Sequence, residues 1–521
     1  MSFEQKPNEN DLGHQEDALI PTPDLPPRLT TSVQRSHPTP LSPPHVPNRN
    51  IFAVVLKNKR QITSLTAGLI VLLGSGVHTV WAFWEIFASS SWLELEVITT
   101  VGAWYLGTIC GSIIAAVLIP TWSKKRIYIF AALILLLSSL LFTARLFTDL
   151  RINSVLSSGR FLAGLANGLA YLTVITHAGE NSVNQIRGVI LRGIGYVSAF
   201  SLFMAGFTTN GTKENDIDSE CIMGFLNCFY SILALAVAPF LTIESAPYLL
   251  KYSSNCSVSE RDELVIATMV KLRNEKGETP KIRHDFIEMK HQLNEDELDS
   301  RNPFSIDNLR PLLIVCGVRV LSVCAKNIPF TVLIMGLFNQ QINPDSINLY
   351  LLLSLLTARF IFGMCTMFFI DQFERKKYLY FFSILCGILL FVMCIMVLFS
   401  VSQDFFHTPF SINIFIIIFF IFASMSIDCV GHVQTSEAFS FATKSWSIII
   451  ATGIEHIVHM VFITLFKLHS DTSAFFAISI GLIIMGWSTL LTVPRKTKGL
   501  SLRQTRDIYR KVKFNFLFES A

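Results

Sequence analysis

The sequence predicts an all-α membrane protein, with twelve transmembrane helices in two six-helix pseudo-symmetric bundles. Three observations carry that prediction. Twelve long apolar runs occur in two groups of six, a polar stretch over residues 244–309 parts the groups, and short paired motifs recur at matching places in both. A run of about 20 apolar residues crosses the roughly 30 Å hydrocarbon layer as a helix and satisfies its own backbone polar groups, which no water is there to meet. Composition agrees, since 51% of the 521 residues are hydrophobic and 15% are charged, where a soluble domain carries about 25% charged residues.

Taken in order, residues 1–60 begin with a stretch whose first fifty positions hold ten of the twenty prolines. They are expected as a disordered Pro-rich cytosolic tail, in which Pro38 to Pro47 reads either as a plain spacer or as a ligand for an SH3-like cytosolic partner. The first bundle, residues 61–243, has its apolar runs at 63–87, 97–119, 127–147, 154–177, 188–208 and 221–242. The linker, residues 244–309, reads as short amphipathic helices. Ser259 with Asp262 resembles a capping box before Leu264, Ile266, Met269 and Leu272, and a second apolar series follows at Ile282, Phe286, Met289 and Leu293. The second bundle, residues 310–493, has runs at 311–338, 347–370, 378–400, 409–433, 446–466 and 473–493, and residues 494–521 form a basic cytosolic tail.

Lysines and arginines fall on one side of this arrangement. They flank the first run (Lys57, Lys59, Arg60) and fill alternate loops (Lys124, Lys125, Arg126; Arg187; Arg375, Lys376, Lys377; Lys444), whereas the intervening loops hold little beyond Arg151, Lys213 and Lys467. Basic loops stay in the cytosol, so both termini are expected there, with the plasma membrane as the default membrane. The sequon Asn210-Gly211-Thr212 then falls in an outer loop and marks Asn210 as a candidate glycosylation site. The ten cysteines lie mostly inside apolar runs without paired CxxC spacing, so they read as small membrane hydrophobes.

Two six-helix halves invite a search for correspondence. Glu180 precedes Arg187 by seven residues after the fourth run, and Glu437 precedes Lys444 by seven after the tenth, each member 257 residues from its counterpart. Likewise Lys124-Lys125-Arg126 follows the second run, and Asp371-Gln372-Phe373-Glu374-Arg375-Lys376-Lys377 follows the eighth. Acid and base pairs at the cytosolic ends of two halves hold those ends together in one state and release them in another. Glu180, Arg187, Gly188, Asp371, Arg375, Glu437 and Lys444 are therefore the candidate cytosolic gate.

At these residues the chain resembles the sugar porter family of the major facilitator superfamily, over nearly all of residues 60–510. Gly159-Arg160-Phe161-Leu162-Ala163-Gly164, followed by Gly168, Glu180, Arg187 and Gly188, is similar to the family's fourth-helix signature. Glu244-Ser245-Ala246-Pro247-Tyr248-Leu249-Leu250 resembles its PESPRYLL segment, and Asp371 to Lys377 resembles its DRxGRR loop. Ser436-Glu437 with Lys444 is similar to its tenth-helix acid and base, and Pro494, Thr497-Lys498-Gly499 and Ser501-Leu502 to PETKGRSLEE. The resemblance implies a two-bundle rocker that exposes a central site alternately to each side.

The departures concentrate where a sugar would be touched. The family's QQxSGxN on the seventh helix is here Arg319-Val320-Leu321-Ser322-Val323-Cys324-Ala325, its fifth-helix glutamine maps to about Gly195, and its tenth-helix tryptophan to about His432. Hexose hydroxyls bind through paired amides and stacking rings, so classical glucose transport falls below the family expectation. Ionisable residues remain inside the runs, each at a cost of about 2.5–3.5 kcal/mol unless paired or hydrated. Lys326 stands beside Asn327; Asp428 and His432 share one helix face, as do Glu455 and His459. These six are the candidate substrate-binding residues, for a polar or ionised solute, with a purely structural network of Lys326 with Asp428 or Glu455 as the competing reading. His78 and Arg192 read as packed polar residues.

The function expected is transport of a small polar solute, with a sugar among the candidates, by facilitated diffusion or symport. The rival reading is a transporter-like sensor or scaffold that has lost turnover. No Walker loop, GxSxG elbow or HExxH occurs, so an enzyme is not expected, and nothing in the sequence calls for a cofactor, a metal or nucleic acid.

Overall fold

A computed structural model of the chain describes residues 51–88, 95–144, 153–213, 219–252, 257–298, 302–326, 349–370, 374–402, 409–468, 497 and 499–511. Two short helices, α1 (Ile51–Lys57) and α2 (Lys59–Thr63), precede the first long one. Residues 51–60 are thus helical, where the sequence led us to expect tail. The buried Gln61 accounts for the difference: its Oε1 accepts from the Val183 amide at 3.1 Å and its Nε2 donates to Asn58 Oδ1 at 3.2 Å, while Lys57 pairs with Glu275 at 2.8 Å.

The first six long helices are α3 (Thr66–Ala88), α4 (Leu95–Leu118), α5 (Lys124–Ala144), α6 (Asn153–Asn181), α7 (Arg187–Lys213) and α8 (Ser219–Leu241). Leu133, Leu137 and Leu140 on α5 and Phe225, Phe229 and Phe240 on α8 are exposed, the outward apolar face that a lipid surface requires. Because α7 runs on to Lys213, the Asn210 sequon lies in its last turn and not in a loop. Backbone hydrogen bonding continues past the end of the apolar run, which sets no limit on helix length.

Three helices follow, α9 (Ala246–Tyr252), α10 (Val258–Leu272) and α11 (Pro280–Leu298). They have a small core of their own, built on Ala246, Val265, Met269, Ile282 and Phe286. The capping box at the head of α10 is Ser257 with Glu260, not Ser259 with Asp262. Starting the helix two residues earlier lets Glu260 return a bond to the Ser257 amide at 2.9 Å and leaves Asp262 to pair with Lys290 of α11 at 2.7 Å.

The second group comprises α12 (Ile306–Lys326), α13 (Leu349–Phe369), α14 (Arg375–Ser402), α15 (Pro409–Glu437) and α16 (Lys444–Leu468), and a tail helix follows as α17 (Leu502–Lys511). The run expected at 473–493 lies outside the described residues. Among the described residues, seven helices are long and apolar enough to cross a membrane.

Within the first group α4 packs along α6, and α5 lies against both α6 and α8. The two groups meet where α4 contacts α16 and α7 contacts α13 and α15. The α4–α6 seam is a glycine zipper: a Cβ on Gly107 would lie 2.1 Å from Phe161 O, on Gly111 2.1 Å from Leu165 O, on Gly164 2.1 Å from Trp104 O and on Gly168 2.1 Å from Thr108 O. Without a hydrophobic drive between helices in lipid, such close backbone approach supplies the packing energy. It also places Trp104 and Tyr105 of α4 opposite Asn167 and Tyr171 of α6.

Candidate functional site

Two polar assemblies sit in this apolar frame. The first closes one end of it. Lys124, 1% exposed, opens α5 and reaches Glu180 at the end of α6 at 3.1 Å and Glu244 at 3.7 Å, with its Nζ also donating to Ser245 Oγ at 2.9 Å. Arg375 opens α14 and pairs with Glu437 at the end of α15, and its Nη1 donates to Thr497 Oγ1 at 3.3 Å. The two halves therefore build the same pair from corresponding residues.

Each acid also meets a base from the opposite half. Arg187 at the start of α7 lies 3.8 Å from Glu437, and the Lys444 charge at the start of α16 acts on Glu180. The approach is close because Gly179 has no side chain: a Cβ there would lie 2.0 Å from Ser436 Oγ and 2.8 Å from Lys444 Nζ. Ser436 Oγ donates to Ile175 O across the halves at 3.3 Å, and Arg187 donates to Leu500 O at 3.3 Å. This end is closed. Of the gate residues read from the sequence, Glu180, Arg187, Arg375, Glu437 and Lys444 converge here, Gly188 follows Arg187 in the first turn of α7, and Asp371 lies outside the described residues.

The linker and tail helices brace the same end. Asp296 of α11 accepts from the Phe441 amide at 2.7 Å and from Arg506 of α17. Burial holds the Tyr509 phenol of α17 well above its usual range, so it stays neutral beside Glu437 and Arg375. Burial likewise holds the Glu244 carboxyl above the usual carboxylate range, against the opposing pull of Lys124.

The second assembly lines a central cavity of about 140 Å³. Its hub is Arg319 of α12, 2% exposed, which bonds Glu455 of α16 at 3.0 Å, Thr435 Oγ1 at 3.0 Å and the Tyr171 hydroxyl. The Tyr171 hydroxyl and, at 3.4 Å, Arg319 both meet His432 Nδ1. A guanidinium only donates, so Nδ1 accepts and the His432 proton sits on Nε2. On the facing wall the His459 ring stacks on Tyr105 at 5.1 Å, and His456 lies edge-on to Trp104 at 6.0 Å.

His432, Glu455 and His459 thus line one cavity. Lys326 ends α12 and Asp428 lies one turn before His432 on α15, but their side chains, like Asn327 altogether, fall outside the described residues. Sequence reasoning missed Arg319, Tyr171, Trp104 and Asn167. Arg319 carries a signal in the sequence, being an ionisable residue inside an apolar run, but its place in the family's glutamine motif masks it. His78 is a packed polar residue, bonded to Asn227 at 2.9 Å.

Helical halves that share a polar cavity and are latched at one end by matched ion pairs define a membrane transporter of the major facilitator fold. The chain belongs to the sugar (and other) transporter family, whose model matches residues 53–509. Among solved structures it is similar to the proton:xylose symporter XylE bound to 6-bromo-6-deoxy-D-glucose, at 17% identity and a TM-score of 0.67 over 88% of this chain and 100% of that one. A double-tryptophan mutant of XylE matches at 16% identity and 0.69, over 88% and 99%. The inward-open xylose transporter XylE from E. coli matches at 15% and 0.61, over 88% and 100%. Among curated proteins, none matches the chain by sequence.

Proposed function

We propose that the chain carries a small polar solute across a bilayer by alternating access, with residues 61–243 and 310–493 as the two rocking halves and the ion-pair end as the cytosolic gate. In this reading the linker at 244–309 and both termini face the cytosol of a cell whose plasma membrane holds the protein. One observation carries it: Glu180 and Glu437 each have a base from their own half and face one from the other, beneath a polar cavity. Ion pairs placed so hold the halves in one arrangement and exchange partners in the next.

The loss of the amides expected near Arg319 and Gly195 favours a second reading, a sensor without turnover. Uptake into proteoliposomes separates the two, measured in both gradient directions over sugars, organic anions and organic cations, for wild type and Glu437→Gln. Transport predicts flux of at least one solute and an altered rate in the variant. Solute binding without flux in either direction sinks the transport reading and supports the sensor.

A further inference from the structure

Arg192 is 1% exposed, about 7.5 Å along α7 from Arg187. Its bonds go to uncharged oxygens, from Nε to Thr366 Oγ1 at 3.0 Å and from Nη2 to the Ser424 carbonyl at 3.3 Å. Among the described residues no carboxylate pairs with it, and its Nη1 has no hydrogen-bond partner. A buried guanidinium carries a full charge at any physiological pH, and a buried unpaired donor on it is strongly disfavoured.

That nitrogen lies against the cavity wall at Gly195. Gly195 lies in the cavity wall, and a Cβ added to it would stand 2.8 Å from Arg192 Nη1 and 3.1 Å from His432 Nε2. Both are N–H groups, given the His432 tautomer argued above. With no side chain on Gly195, Arg192 Nη1 packs directly against the cavity wall, and the guanidinium is the cation nearest that stretch of it. Elsewhere in the lining Trp104 Nε1, a donor, and Asn167 Oδ1, an acceptor, are buried with no partner among the described residues.

We infer that the solute is a small hydroxylated carboxylate, its anionic oxygens seated against Gly195 on Arg192 Nη1, its hydroxyls meeting Trp104 and Asn167. The inference rests on the reading of the cavity as the solute site. Charge-assisted hydrogen bonds of this kind are the strong ones, and the partner that Arg192 Nη1 lacks among the described residues arrives with the ligand. The same residues account for the lost sugar amides. A neutral hexose leaves the guanidinium unpaired.

D-glucuronate and D-glucose share a ring and differ at C6, where one carries a carboxylate and the other a hydroxymethyl group. Their dissociation constants are measured by the ligand-induced rise in melting midpoint of the purified full chain, in chloride-free buffer and again with chloride added. Wild type is expected to prefer glucuronate by roughly tenfold or more, the worth of one charge-assisted bond. Arg192→Gln, which removes an unpaired buried charge and should fold, is expected to abolish that preference, and Arg192→Lys to keep part of it. Gly195→Ala leaves the arginine in place and sets a methyl group against its Nη1, and it too is expected to abolish glucuronate binding. Equal binding of the two probes by wild type, a preference that survives Arg192→Gln, or stabilisation by chloride equal to that by glucuronate overturns the inference. Glucuronate binding without flux would leave it standing while removing the transport reading.

Discussion

Replacing Gly164 by alanine tests the seam on which the cavity is hung. The added Cβ would lie 2.1 Å from Trp104 O, 2.9 Å from Trp104 C and 3.1 Å from Thr108 N. A carbon and a carbonyl oxygen do not come closer than about 3.3 Å, so α4 and α6 must part locally by about 1.2 Å. Neither wall of the contact yields, because both are helical backbone held by their own hydrogen bonds. The three other interlocked glycines are forced apart together, and the cost falls in the range of overpacking, about 1–3 kcal/mol. Gly102, on α4, is the matched control, since a Cβ there meets nothing within 4 Å. Gly102→Ala is expected to be neutral or to gain up to about 1 kcal/mol of helix propensity. The measurement is the thermal unfolding midpoint of purified protein in one detergent. Midpoints that shift equally for the two variants would refute the zipper as a source of stability.

The Arg319 and Glu455 pair should behave as a buried ion pair. Arg319→Met strands a carboxylate and is expected to cost about 3–5 kcal/mol, most of which Arg319→Met with Glu455→Gln restores; a double variant no more stable than the single one, by denaturant or heat, would show that the two do not depend on each other. Glu244 should shape the pH profile. Its folded value lies above its unfolded one, so its contribution is complete below the unfolded value and is lost as pH rises through the folded one. The midpoint of Glu244→Gln relative to wild type should therefore climb as pH rises through that window, and parallel profiles would count against the burial argument.

The helices were legible because each run in lipid must close its own hydrogen bonds, so apolar length alone marks α4, α5 or α8 within a few residues of their ends. The ion-pair end was legible too, since the repeat puts Glu180 and Glu437 at equivalent places. It did not reveal that Lys124 and Arg375 are the acids' partners within each half. The cavity was less accessible. Glu455 and His459 share a helix face at a spacing of four, but Glu455 finds Arg319 across 136 residues of chain, a contact set by how far each helix is rotated and slid against its neighbour. The unpartnered Nη1 of Arg192 sits against a residue without a side chain, Gly195, whose meaning appears only when Arg192 and His432 are seen to pack on it.

Glu437 never relies on the opposite half alone. When Arg187 withdraws, Arg375 still covers the carboxylate, and Lys124 does the same for Glu180. The halves can separate without abandoning a bare ion in a greasy crevice, so the parting energy is the difference between two coverings and not the whole of one. In the proposed transport cycle a clasp of this design costs less to open than a lone ion pair would, and so asks less of a bound solute.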